Sequence, residues 1–600
     1  MAARVAHVVM LVLCFVNAGS VVCVQQRNPD GRHSYMGRQL KQAAPGGGNS
    51  VTITEACAAT HFPASCLQAL NGDPRSASAV PRELVAIAIG VAHSYATTSE
   101  ADAATLAARV GGAGNVNLTS VSRMCSEVTD LASFHIQNSQ NAVNGPLLND
   151  VQAWLSGALT FTTDCSAGLG QVSSVLPFVG EMKGRLDASQ EMISNALAMT
   201  DALVNYGANT ALWKPPPLSK DQMLFEDASF ALKHDLHSAK KLPHWLSARD
   251  HNLLRGRLDV APSVTVDLAS PFSSIQRAVD LAPDWSGPRY IIYIKAGVYN
   301  EVVRIPKHKT NLMFMGDGSD KTIITGSMSD SQVGMITWAT ATVAVSGQGF
   351  IARGITFQNT AGPDGRQAVA LRVNSDQSAF QSCAVVGYQD SLYTHSFRQF
   401  YKDMYISGTV DFIFGNSAAV FQNSQLVVRV GAPGATTSTL TAQGRTDSGQ
   451  TTGLVFQDCA ITGTPEYLAL FQANRQAHQA FLGRPWKTFS RTVFIRTYID
   501  QIIDPSGWLP WNGNFALSTL FAAEFGTYGP GAANLNNRVT WSSQLTTPQA
   551  QAFSISSLHS GPVLATRYRN SIYPMTTIFK VLFSLEDAVV ARENLLMGGR

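Results

Sequence analysis

QDSLYTHSFRQFYKDMYISGTVDFIFG, residues 389–415, holds two carboxylates, Asp390 and Asp411, in surroundings too apolar and aromatic for casual surface charges. Val410, Phe412, Ile413 and Phe414 around Asp411 read as a buried strand, and a carboxylate in such a place needs a partner or a function. Working outward, Phe357, Phe380, Phe400, Phe421 and Phe456 open similar strand-like segments (TFQNT, AFQSCAVV, QFYKDMYI, VFQNSQLVV and VFQDCAIT), the first four at intervals of 23, 20 and 21 residues. That period predicts a parallel β-helix, one repeat per turn, with turns stacked about 4.8 Å apart. Counted from each opening Phe, Gln367 and Asp390 fall ten residues on and Asp411 eleven, so the three are expected near one another on successive turns.

Two carboxylates one turn apart cannot both ionise cheaply. Repulsion raises the pKa of one and keeps it protonated, while a nearby cation holds the other ionised, which places an acid beside a nucleophile. Arg484, in LGRPW, is the candidate cation, because its fork of donors matches a carboxylate and does not deprotonate. Gln367 and Gln389 have amide N–H groups to offer a developing oxyanion. Either Asp taken alone passes equally well as a strand-end cap in a solenoid; the two Gln and the Arg together favour chemistry. Trp486 follows Arg484 by two residues, so on an extended segment both project to one face, leaving the indole to stack on a sugar or to pack the solenoid flank.

QAVALRV at 367, the QDSLY block, GTVDFIFG at 408 and LGRPWK at 482, with GVYNE at 297, MGDG at 315 and TAQGRTD at 441, resemble the plant pectin methylesterases from about residue 260 to about 550. The resemblance implies an all-β right-handed parallel β-helix that hydrolyses the C6 methyl esters of cell-wall homogalacturonan, releasing methanol. It implies Asp411 as nucleophile, Asp390 as proton donor and then base, Gln389 and Gln367 as stabilisers of the oxyanion, and Arg484 orienting Asp411. Thr337, beside Trp338, falls where the family contacts substrate, as do Gln367, Arg484 and Trp486. No metal and no organic cofactor is implied. Three departures from the family stand out. Asp267-Leu268-Ala269-Ser270 replaces a Gly-rich opening, Met404 and Ser424 replace a disulfide that brackets the second Asp motif, and residues 554–600 form an atypical tail. Pro465 to Phe481 is expected to be a loop beside the cleft.

Six hundred residues predict at least two domains. With 44 Lys plus Arg against 41 Asp plus Glu, the formal charge of +3 gives mild attraction to a polyanion such as de-esterified pectin, and no basic stripe for nucleic acid. Residues 1–18, with Arg4, an apolar run from Val8 to Val16 and small residues to Ala18, read as a secretory signal peptide, a retained signal anchor being the alternative. Export to the cell wall or apoplast follows. Residues 19–50, ending in GGGNS, read as a flexible linker.

Residues 51–213 carry apolar side chains at three- and four-residue steps and predict an all-α helical bundle. Its even cysteine set suggests disulfides Cys57 to Cys66 and Cys125 to Cys165 in an exported chain. Asn117, in NLT, is a glycosylation sequon. Bundle and spacing resemble the pectin methylesterase inhibitor domain, which implies an auto-inhibitory pro-region; a passive folding spacer is the plainer alternative. Such a chain has its own N-terminal domain or separate inhibitor proteins as partners. Lys214 to Pro217 stop the last helix, and the linker 214–259 contains HNLLRGRL, where Arg255, Arg257 and Leu258 come nearest to a site for a processing protease. Two rival functions remain open at this point: another pectin-degrading β-helix enzyme, or an inactive wall protein serving as an inhibitor or binding module.

Overall fold

The computed structural model describes residues 53–110, 115–172, 177–219, 222, 242–243, 245–257 and 260–553, and the backbone of 13–17 and 20–24. Leu13–Asn17 pairs antiparallel with Ser20–Val24 in a unit of its own. The rest of the leader, the 25–50 linker, Leu258, most of the connection before it and the 554–600 tail lie outside the described residues.

The bundle begins with α1 (Ile53–Ala58) and α2 (Pro63–Asn71), followed by four long helices: α3 (Pro81–Val110), α4 (Val116–Ala142), α5 (Leu148–Val172) and α6 (Pro177–Tyr206). The Asn115 side chain caps α4 by accepting from the Leu118 N–H at 3.0 Å. The expected disulfides are both present, Cys57–Cys66 pinning α1 to α2 and Cys125–Cys165 pinning α4 to α5. α6 ends at Tyr206 with Gly207 at φ 67, ahead of the Lys214–Pro217 run from which the sequence placed its stop. A glycine that adopts the left-handed cap without strain ends the helix before proline is needed.

Residues 260–553 wind into a parallel solenoid whose sheets, among the described residues, have eleven, eight and seven strands. Its interior is an aromatic column, Phe380, Tyr401, Phe421, Phe456 and Phe494, with successive ring centroids 5.0, 4.6, 4.6 and 4.7 Å apart. This register corrects the repeat read from sequence at two places. Phe400 pairs with Ala379 and Val420, one residue out of step, and packs outside the column with Leu253 and Val455. A one-residue slip reverses the face of a strand, and adjacent Phe400 and Tyr401 make that slip invisible in the sequence. Phe357 belongs to the eight-stranded sheet, pairing with Ile324 and Val385, so TFQNT and AFQSC are alike in letters and not in place.

One further expectation changes. Pro465 to Phe481 is no loop: Pro465–Ala473 is a helix, capped by the Thr464 side chain with proline at its start, and the strand Gln479–Pro485 follows. Tyr290–Ile294, Gly297–Asn300 and Val303–Ile305 are three successive strands. Glu301 between them is structural, accepting from the Ser274 hydroxyl and from the N–H groups of Ile275 and Gln276 at the head of the helix Ile275–Leu281. Cys383 and Cys459 are buried free thiols, and burial pushes both up to about 12. The strand register puts Met404 and Ser424 between them on intervening turns, too far apart for a bond.

The bundle sits on the outer face of the seven-stranded sheet. One row of that face runs Ala344, Arg372, Tyr393, Phe414, Ala442 and Arg484. Ala344, Tyr393, Phe414 and Ala442 join the apolar core of the bundle together with Trp338 and Phe397. Arg398 bridges Asp376 of the solenoid and Asp150 of α5, each at 2.6 Å; His395 pairs with Asp164 of α5 at 2.6 Å, and Gln450 donates to the Ser156 carbonyl at 2.9 Å. Replacing Phe421, in the middle of the aromatic column, by Ala is expected to cost about 3–5 kcal/mol, read as a lower denaturation midpoint for the solenoid. An unchanged midpoint would mean the column does not carry the fold.

Candidate active site

Parallel pairing of Leu392 with Ile413 stacks Asp390 over Asp411 two residues upstream on adjacent turns. Both adopt left-handed backbone, φ 59 and φ 50, which Asp tolerates better than most side chains and which turns each carboxylate out of the strand direction. Asp411 is 4% exposed and Asp390 8%. Arg484 donates to Asp411 through Nε (2.9 Å to Oδ1, 3.2 Å to Oδ2) and a terminal nitrogen (2.6 Å to Oδ2), a two-pronged grip that fixes the carboxylate plane. Thr439 Oγ1 donates to Asp411 Oδ1 at 2.6 Å and accepts from the Asp411 N–H at 2.9 Å. Burial, reinforced by the charge of Asp411 and opposed by Arg484, holds the Asp390 carboxyl far above the ordinary carboxylate range. Burial thus favours the neutral form of Asp390, while Arg484 and Thr439 hold Asp411 beside it in a fixed orientation.

Gln367 and Gln389 face each other across a parallel bridge, with the Ala368 N–H donating to the Gln389 carbonyl at 3.1 Å. The count from the opening Phe had set Gln367 over Asp390; it lies over Gln389, because Phe357 does not share the register of Phe380. The two amides thus form one step and the two carboxylates the next.

Residues 262–561 match the pectinesterase family and residues 51–199 the plant invertase/pectin methylesterase inhibitor family. The chain is 38% identical over 510 residues to the probable pectinesterase/pectinesterase inhibitor 64 of Arabidopsis thaliana, covering 84% of this chain and 82% of that protein. The chain belongs to the pectinesterase family. It is also 40% identical to pectinesterase 2 of Citrus sinensis over 76% of this chain and 80% of that one. A solved pectin methylesterase from carrot is 45% identical and covers 53% of this chain and 98% of its own, with a TM-score of 0.48.

Against the pectinesterase motifs, the structure sets Gln367, Gln389, Asp390 and Asp411 just ahead of three neighbouring strands of the seven-stranded sheet, with Arg484 of its edge strand reaching Asp411. Trp486 borders them, edge-on to Phe414 at 5.9 Å and half-buried. Thr337 opens the short turn Thr337–Thr340, whose Thr340 hydroxyl accepts at 3.0 Å from the N–H of Val369, two residues beyond Gln367. Asn117 lies apart, exposed at the start of α4. Sequence reading missed Thr439 and Trp511. The Trp511 ring centroid lies 4.4 Å from the Arg484 guanidinium, a cation-π contact. Thr439 had a signal, an alternating TSTLTAQ strand that places a hydroxyl at the level of Asp411; Trp511 follows a turn whose path no periodicity predicts.

A raised folded pKa means that the unfolded chain gives up this proton first, near its reference value of about 3.9, so Asp390 subtracts stability as pH climbs from there to its folded value. Asp390→Asn is expected to match the native chain in thermal midpoint below about pH 4 and to exceed it increasingly as pH rises. A pH-independent difference in midpoints would contradict a protonated Asp390.

Proposed function

We propose that the chain is a latent pectin methylesterase of the plant cell wall, using an aspartate nucleophile on methyl-esterified homogalacturonan. Asp411 attacks the C6 ester carbonyl, and the amides of Gln367 and Gln389 take up the oxyanion. Asp390 gives its proton to departing methanol, then takes one back from water, whose hydroxide resolves the acyl-enzyme, releasing the galacturonic acid and freeing the Asp411 carboxylate. Arg484 keeps the Asp411 carboxylate aimed through its two-pronged grip, and Trp486 and Thr337 border the sugar path. No metal or organic cofactor enters these steps. The observation that carries the reading is the stacked pair, with the two-pronged arginine on one carboxylate and burial holding the proton on the other.

Latency is the second half of the reading. The bundle packs on the sheet face whose row ends in Arg484, and Thr160, Thr163 and Asp164 of α5 close a small pocket against Tyr393, His395 and Trp486. A pectin strand crossing that face would have to displace α5. The leader-like N-terminus and the disulfides support export, and cutting within 214–259 by a wall protease is the route to release.

Methanol release from methylated pectin, measured after proteolytic cutting of that connection, is expected to fall by about 10³-fold or more in Asp411→Asn without change in the denaturation midpoint. Full activity of the variant would remove Asp411 from the mechanism. Unsaturated or reducing sugar ends in place of methanol would indicate another pectin-degrading chemistry on the same coil. The cover has a separate test at Gly157 of α5, where an added Cβ falls 2.1 Å from the Phe397 ring. Gly157→Val is expected to raise methanol release from the uncut chain severalfold; an unchanged rate would mean that α5 does not block the site.

A further inference from the structure

Met328 to Met335 fold back over the Gln367 end of the site. The loop is pinned from below by the buried Asn359 amide, which donates to the Met328 carbonyl at 2.8 Å and to the Val369 carbonyl at 3.0 Å. At its tip, the Asp330 N–H donates to the Gln367 carbonyl at 2.9 Å. With the Gln367 amide turned so that donor meets acceptor, its nitrogen donates to the Asp330 carboxylate at 3.0 Å from Oδ1 and 2.9 Å from Oδ2. Arg366, at φ 58, sets its Nε 3.4 Å from the same carboxylate and offsets its charge. Asp330 therefore holds both the backbone and the side chain of Gln367.

A glutamine amide has two nearly isosteric orientations, and only one shows an N–H to an oxyanion. A carboxylate can only accept, so it selects the nitrogen end. Two oxygens 2.9 and 3.0 Å from one nitrogen share a single hydrogen between them, and the second hydrogen is left pointing away from Asp330. We propose that Asp330 is a positioning residue for ester hydrolysis, locking Gln367 in the donor orientation needed at the oxyanion. The inference rests on the oxyanion role of Gln367 given under Proposed function. A second effect accompanies it: Asp330 adds to the charges that keep the proton on Asp390, whose charged neighbours are otherwise Asp411 and Arg484, with Tyr393 close by.

The test uses the full-length chain, intact and after cutting of the 214–259 connection, as native protein, Asp330→Asn, Asp330→Ala, Gln367→Ala and the Asp330→Ala/Gln367→Ala double variant. Methanol release from methylated pectin is followed against pH. Both Asp330 variants are expected to lose kcat by about tenfold, less than the roughly 10²-fold for an oxyanion donor, with KM within about twofold. The double variant should be no worse than Gln367→Ala, because Asp330 acts through that side chain. The alkaline limb of the profile should move to lower pH in both Asp330 variants, a change that a merely structural loop would not produce. Native kcat in Gln367→Ala would overturn the oxyanion reading and this inference with it. A depressed Gln367→Ala beside Asp330 variants of native kcat and profile would overturn the role of Asp330 alone, as would losses that multiply in the double variant.

Discussion

Parallel stacking in one register is the constraint on which everything else depends. Once Leu392 lies on Ile413, Asp390 must lie over Asp411, and the low-dielectric interior leaves two carboxylates only one cheap state, with a single shared charge. Burial and the Asp411 neighbour favour the neutral form of Asp390, while the Arg484 guanidinium grips Asp411. Two turns further along the same sheet, Ala442 over Arg484 fixes that cation in the same row. No loop rearrangement is needed to bring Asp390, Asp411 and Arg484 together, since all three ride on the coil whose aromatic column holds it together. This is the preorganisation that a site acting by fixed charges requires.

The same row that ends at Arg484 also carries the surface that packs on the bundle. Tyr393 and Phe414 stack at 4.2 Å and continue the apolar surface of the bundle, while His395, Arg398 and Gln450 supply polar anchors to α5. An apolar and aromatic strip beside a cation is what a sugar polymer carrying esters and carboxylates needs, and also what an amphipathic helix can cover. Under the proposed function, competition between α5 and polysaccharide for one strip would make latency a consequence of the recognition surface, with no separate switch.

Much of the site was legible in the sequence because its parts are tied to local patterns. Asp411 betrayed itself by sitting in a hydrophobic run, Asp390 by the repeat, and Arg484 by being the one charge in LGRPW able to reach them. The bundle and its two disulfides followed from helical spacing and an even cysteine count. What was lost was lost to register and to local competition. Phe400 and Tyr401 are both aromatic, so letters alone do not say which enters the column. Phe357 opens a segment that looks like a repeat but belongs to another sheet. Thr464 and Pro465 make a capped helix start that outweighed the expectation of a loop. Asp330 gave no signal at all, because its partner Gln367 is brought to it by the coil and not by the chain.

The central claim is that burial and the neighbouring Asp411 keep a proton on Asp390 well above the ordinary carboxylate range. Infrared spectroscopy of the intact chain, comparing native protein with Asp390→Asn, tests it most directly. The account predicts a protonated-carboxyl band at pH 7 that disappears in the variant and, in Asp411→Asn, titrates away at lower pH. A native spectrum at pH 7 with no such band would contradict it.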